Sequence, residues 1–157
     1  RFGLVNLKKD YRSANAQYSR GCPFTCEFCN QGAFEGNTHR TKEGEQVRAE
    51  LEAIFRTGYR GSLFFVDNNF SATKSKLKKM LPVIISFQQE HGYPFSLLTE
   101  ASTELAESDN LLALMHHAGF QAVFNGIESP DVAVLDEMRK SQNRRNLADA
   151  VRKFQKY

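Results

Sequence analysis

Tryptophan is absent from this 157-residue chain, and cysteine and proline are scarce, at three and four copies. Three cysteines are an odd and small number for a disulfide framework. With no signal-peptide pattern ahead of them, a reducing, cytoplasmic setting is expected. No apolar run approaches the roughly 20 residues that a membrane-spanning helix requires. A strong charge excess is missing too: 21 Lys and Arg against 18 Asp and Glu leave a formal +3, without the concentrated basic stripe of a nucleic-acid-binding protein. The densest run, Lys74, Lys76, Lys78 and Lys79, reads as the solvated face of a helix. Repeats, low-complexity tracts and obvious linkers are lacking. What remains, 41% hydrophobic and 25% charged residues, fits one globular α/β domain with a real core.

All three cysteines fall within eight positions, as Cys22, Cys26 and Cys29 in a C-x3-C-x2-C arrangement. Thiolates this close together can bind three irons of a cubane [4Fe–4S] cluster. Four cysteines make the complete set, so the fourth iron is left open to a small molecule. The rival is a non-catalytic three-cysteine module holding zinc or an iron–sulfur group. Zinc would need a fourth ligand, and the nearest histidine, His39, lies ten residues past Cys29, outside the usual spacings. An electron-transfer protein would supply the fourth cysteine that this chain lacks.

Short strand-like runs alternate with longer helix-like runs, which predicts parallel βα units. Four strands are expected, at Ala16–Ser19, Ser62–Val66, Phe95–Thr99 and Gln121–Asn125. A first helix from near Thr41 places Val47, Leu51, Ile54 and Phe55 on one face and stops at Gly58. A second reaches His91 with a kink or a new turn at Pro82, and a third is capped by Ser108 or Asp109 and ends at Gly119. A fourth starts with Ser129 as cap and Pro130 at its first position, and a further segment holds Leu147, Val151 and Phe154. Right-handed crossovers with the helices outside curl such a sheet into a partial TIM-like barrel, whose active groups gather at the strands' C-terminal ends.

Those four ends are polar. Asp67, Asn68 and Asn69 offer a carboxylate and carbonyl oxygens as acceptors for an amine, or form a polar turn after a buried strand. Glu100 and Ser102 end the third strand, facing a ligand, a substrate or solvent. Past the fourth, Gly126 permits close backbone approach, while Glu128 either accepts hydrogen bonds from a ligand's hydroxyls or amine or complements a helix dipole. Arg40 and Lys42 could steady cluster or carboxylate charge, or start a solvated helix. His116 and His117 suit a helix C-terminus.

Beyond the cysteines, several segments occur in order: Gln17-Tyr18-Ser19-Arg20-Gly21-Cys22-Pro23, Arg40-Thr41-Lys42, Glu50-Leu51-Glu52, Phe65-Val66-Asp67-Asn68-Asn69-Phe70, Thr99-Glu100-Ala101-Ser102, Ala118-Gly119-Phe120, Gly126-Ile127-Glu128-Ser129-Pro130 and Lys140-Ser141-Gln142-Asn143. Together they resemble the radical S-adenosylmethionine enzymes that carry a cobalamin-binding domain, the group containing the hopanoid-methylating enzymes. The resemblance implies a partial (βα)6 barrel with a [4Fe–4S] cluster on Cys22, Cys26 and Cys29. The amino and carboxylate groups of S-adenosylmethionine would chelate the open iron, Phe28 would flank the adenine, and the segment from Asp67 would hold the amine. The family commonly has two consecutive aspartates here; this chain has Asn68 second.

Reductive cleavage to a 5′-deoxyadenosyl radical, cobalamin in the full-length protein, a small-molecule or lipid-like substrate and an electron donor of flavodoxin or ferredoxin type are likewise implied. Residues 1–157 read as the N-terminal part of such a domain, inactive alone and prone to self-association along its last strand.

Overall fold

Leu63 and Phe65 on one strand, and Phe95, Leu97 and Thr99 on the next, are spaced by two and nearly fully buried, as strands with one covered face require. The computed structural model describes residues 6–157. Its elements run α1 Leu7–Asp10, β1 Ser13–Ala16, β2 Ser19–Arg20, α2 Gln31–Glu35, β3 Arg40–Thr41, α3 Gly44–Arg56, β4 Gly61–Phe65, α4 Lys74–Glu90, β5 Phe95–Glu100, α5 Asp109–His117, β6 Phe120–Phe124, α6 Val132–Glu137 and α7 Leu147–Lys156. Short 3-10 turns lie at Thr103–Glu107 and Ser141–Asn143. Among the described residues no helix is long and apolar enough to cross a membrane.

β1, β4, β5 and β6 form a four-stranded parallel sheet in that order. Ala16 lies beside Phe65, Phe65 beside Thr99 and Thr99 beside Val123, so the C-terminal ends are level and their loops leave along one edge. Helices α3, α4 and α5 pack side by side over one face through Val47, Leu51, Ile54, Leu77, Leu81, Ile84, Leu111, Leu112 and Met115. Buried parallel sheets are normally covered on both faces. On the other face here, Ser96, Glu100 and Phe124 are exposed and Phe64 and Leu98 half-buried. The architecture is a partial TIM-like barrel of four βα units, as expected, and among the described residues β6 pairs on one side only.

The first strand ends three residues earlier than Ser19, because Asp67 at the end of β4 captures the next amides. Its carboxylate accepts from the Tyr18 N–H at 3.0 Å and from both the N–H and the hydroxyl of Ser19. The chain therefore leaves the sheet, and Ser19–Arg20 pair with Arg40–Thr41 in a separate antiparallel ladder. Thr41 is thus strand, and α3 starts later, at Gly44, behind a capping box of Glu43 and Gln46. Helix α4 runs through Pro82 without a new start, since Leu77, Leu81 and Ile84 are fully buried around it and offset the ~3 kcal/mol that proline costs. Asp131, not Ser129, caps α6. Its carboxylate accepts from Ala133 N–H at 2.8 Å, whereas the Ser129 hydroxyl accepts from Asp131 N–H at 3.1 Å.

Gly119 joins α5 to β6 at φ +90°, and a Cβ there would stand 2.6 Å from Nε2 of Gln88. That amide is fully buried and donates to Phe95 O at 2.7 Å and Ala118 O at 3.1 Å. Gly119→Ala combines left-handed strain with loss of this clamp and should cost about 3 kcal/mol by urea denaturation. A change under about 0.5 kcal/mol would contradict it.

Candidate functional site

The level strand ends deliver their loops to one cavity of about 300 Å³. Cys22, Cys26 and Cys29 all line it as free thiols, the first two half-buried and the third exposed. Burial pushes the Cys22 thiol up, against the lowering effect of hydrogen bonds from the Phe24 backbone and the Asn69 amide. Among the described residues no three His, Cys, Asp or Glu groups converge on a point that could hold one ion.

Most of the expected residues meet here. Phe28, 54% exposed, forms part of the wall. Asn68 and Asn69 reach the cavity from β4, Glu100 and Ser102 from β5, and Glu128 from beyond β6. Asn69 also binds the loops together, its Oδ1 accepting from Ser102 N–H and the Ser71 hydroxyl, both at 3.2 Å. The Asn68 amide donates to Glu35 Oε2 at 2.7 Å; a second aspartate there would set two carboxylates against each other.

Asp67 departs from expectation. It is 2% exposed, lies outside the cavity lining, and spends its oxygens on Tyr18 and Ser19. Arg40 and Lys42 also lie elsewhere: Arg40 donates to Glu35 O at 2.7 Å, and Lys42 pairs with Glu50 at 2.6 Å. His116 and His117 occupy the last turn of α5, as expected.

Sequence reasoning gave no role to Lys140, Gln142 or Asn143, which complete the wall. Lys140 is 8% exposed, and its ammonium lies 2.5 Å from Glu128 Oε1 and 5.4 Å from the centre of the Phe28 ring. Asn143 Nδ2 donates to Gly126 O and Ile127 O at 2.8 Å each, and its Oδ1 accepts from Thr103 at 2.7 Å. These contacts hold Glu128 at φ +63°, a backbone state that costs a non-glycine residue about 1 kcal/mol or more. Two cavity atoms, Ser102 Oγ and Gln142 Oε1, are buried without a hydrogen-bond partner. Such atoms are rare in folded proteins.

The model of the radical SAM superfamily matches residues 17–157. Over 98% of its length the chain is 45% identical to an uncharacterised methyltransferase of Synechocystis, and over 85% it is 38% identical to the hopanoid C-2 methylase of Rhodopseudomonas palustris. It spans 29% and 25% of these two proteins. A radical S-adenosylmethionine methyltransferase, TsrM from Kitasatospora setae, solved with cobalamin and a [4Fe-4S] cluster bound, superposes with a TM-score of 0.79 over 91% of this chain and 28% of its own; at 17% identity the likeness is one of fold. With three thiols at the level ends of a parallel βα sheet and a family match from just before the cysteine loop to Tyr157, the chain belongs to the radical SAM superfamily.

Proposed function

We propose that Cys22, Cys26 and Cys29 hold a [4Fe–4S] cluster whose fourth iron takes the amino and carboxylate groups of S-adenosylmethionine. The observation that carries this reading is the cavity itself. Every thiol of the chain lines it, together with two residues whose buried polar atoms lack partners. Held by these three thiolates, the cluster would supply one-electron reductive cleavage of S-adenosylmethionine to methionine and a 5′-deoxyadenosyl radical, the electron coming from a flavodoxin- or ferredoxin-type donor.

The protein's part is to bind, orient and shield. Phe28 offers its ring to the adenine, and the ammonium of Lys140 holds Glu128 so that its second oxygen accepts from a ribose hydroxyl or the amine. The hydroxyl of Ser102 and Oε1 of Gln142 supply polar contacts, with Asn68, Asn69 and Glu100 around the remaining wall. Asp67 acts from behind by fixing the backbone that leads to Cys22.

Relatives named as methyltransferases favour methylation of an unreactive carbon on a small-molecule or lipid-like substrate, and the cobalamin bound to TsrM favours cobalamin in the full-length protein. Free thiols suit a reducing, cytoplasmic compartment. The open side of β6 is where a further strand or a second copy would pair.

Anaerobic reconstitution of the full-length protein should give about four irons and four sulfides per chain, with 5′-deoxyadenosine formed on reduction. Tight zinc in place of iron would favour the simple metal-binding module instead. Ser102→Ala should weaken S-adenosylmethionine about tenfold, roughly one buried hydrogen bond, in calorimetry under nitrogen. His116→Ala, outside the cavity lining, should leave affinity unchanged. Equal effects would contradict the assignment.

A further inference from the structure

Gln142 is 116 positions from Cys26 in sequence, yet its Nε2 donates to the Cys26 sulfur at 3.3 Å. The segment that carries it is held firmly. Gln142 is 6% exposed, and its backbone carbonyl accepts from the Thr103 hydroxyl at 3.1 Å and from Arg145 Nε at 2.6 Å. The cysteine loop leans on the same segment twice more: Glu27 N–H donates to Met138 O at 3.0 Å, and Lys140 sits over Phe28. The three cysteines are therefore unequal. Cys22 has the Phe24 backbone and the Asn69 amide beside it, Cys26 has the Gln142 amide from a remote segment, and Cys29 is exposed.

We propose that Gln142 is a positioning residue that raises the reduction potential of the cluster by hydrogen-bonding the Cys26 thiolate. This rests on the cluster reading above. Reduction adds negative charge that spreads onto the ligating sulfurs, so a donor aimed at one of them stabilises the reduced state more than the oxidised state. No step of S-adenosylmethionine cleavage passes through the amide.

The test is an EPR-monitored redox titration of the full-length, reconstituted protein without S-adenosylmethionine, alongside iron analysis. Gln142→Met keeps the length and removes the donor. It should retain the iron content of the wild type while its midpoint potential falls, lowering the ratio of reduced to oxidised cluster at a fixed potential about tenfold, or about 59 mV for one electron. Gln142→Glu, which sets a carboxylate against the sulfur, should lower it further. A Met variant that titrates with the wild type overturns the inference while leaving the cluster reading intact, and so does one that loses its iron, since that marks a purely structural role.

A second measurement compares the same two proteins. Exchange into deuterated water should shift an iron–thiolate stretching band in resonance Raman more in the wild type than in Gln142→Met, and equal shifts overturn the inference. A wild type that takes up no cluster fails the functional reading first, and this inference with it.

Discussion

Alanine at Cys26 should leave the full-length protein without a [4Fe–4S] cluster after reconstitution, with iron near zero and 5′-deoxyadenosine undetectable. The same should hold for Cys22→Ala, Cys29→Ala and the triple replacement. The effect is all-or-none because the three cysteines already leave one iron without a protein ligand, and the 157 residues contain no other thiol to take over. The fold should survive, since the core of Leu63, Phe65, Phe70, Leu97 and their neighbours includes none of the three. Far-UV circular dichroism unchanged from the wild type, beside absent iron, is the expected pair of results. A stable cluster in the triple variant would refute the ligand assignment.

Asp67→Ala should cost about 3 kcal/mol of stability by urea denaturation, far more than a surface substitution. The carboxylate is buried, and so are Tyr18 and Ser19, whose N–H groups it satisfies. Removing it strands two buried donors. Burial pushes the Asp67 carboxyl up to about 6, against the lowering effects of the Ser19 and Tyr18 hydrogen bonds and of Lys42. A carboxyl raised on folding keeps its proton in the folded state where the unfolded chain has lost it. Its contribution is thus fully present below the ordinary value near 4 and is lost as pH rises through about 6. Asp67→Asn should flatten that fall in stability between pH 4 and 6. An Asp67→Ala protein within about 0.5 kcal/mol of the wild type, or an Asn variant with the wild-type slope, would count against this account.

How much of this could be read beforehand depends on range. Strands β4, β5 and β6 and helices α3 to α5 follow from local periodicity, and the cysteine triplet from local spacing; each was placed within a few residues. The end of β1 is not a local matter, because it is set by Asp67, nearly fifty positions away, capturing Tyr18 and Ser19. Nothing in a run such as Val66-Asp67-Asn68-Asn69 says which side chain turns back to the main chain and which faces the cavity. The α6 cap shows the same limit at short range: Ser129 and Asp131 are both good caps, and the structure uses Asp131. Lys140, Gln142 and Asn143 lie among polar neighbours without a period, so their burial emerges only when the loop folds onto the cysteines.

The span between Cys26 and Gln142 also has a consequence in time. A ribosome adding about 5–20 residues per second needs roughly 6–23 s to travel those 116 positions. For the later part of that interval, once the cysteine loop has cleared the exit tunnel, Met138, Lys140 and Gln142, the groups that brace it, are still unmade. The nascent thiols then meet whatever metal or oxidant the surroundings hold, without the wall that later encloses them. Faithful loading is therefore best timed after residue 143 has emerged, and a pause in translation between the two segments would lengthen the period of risk.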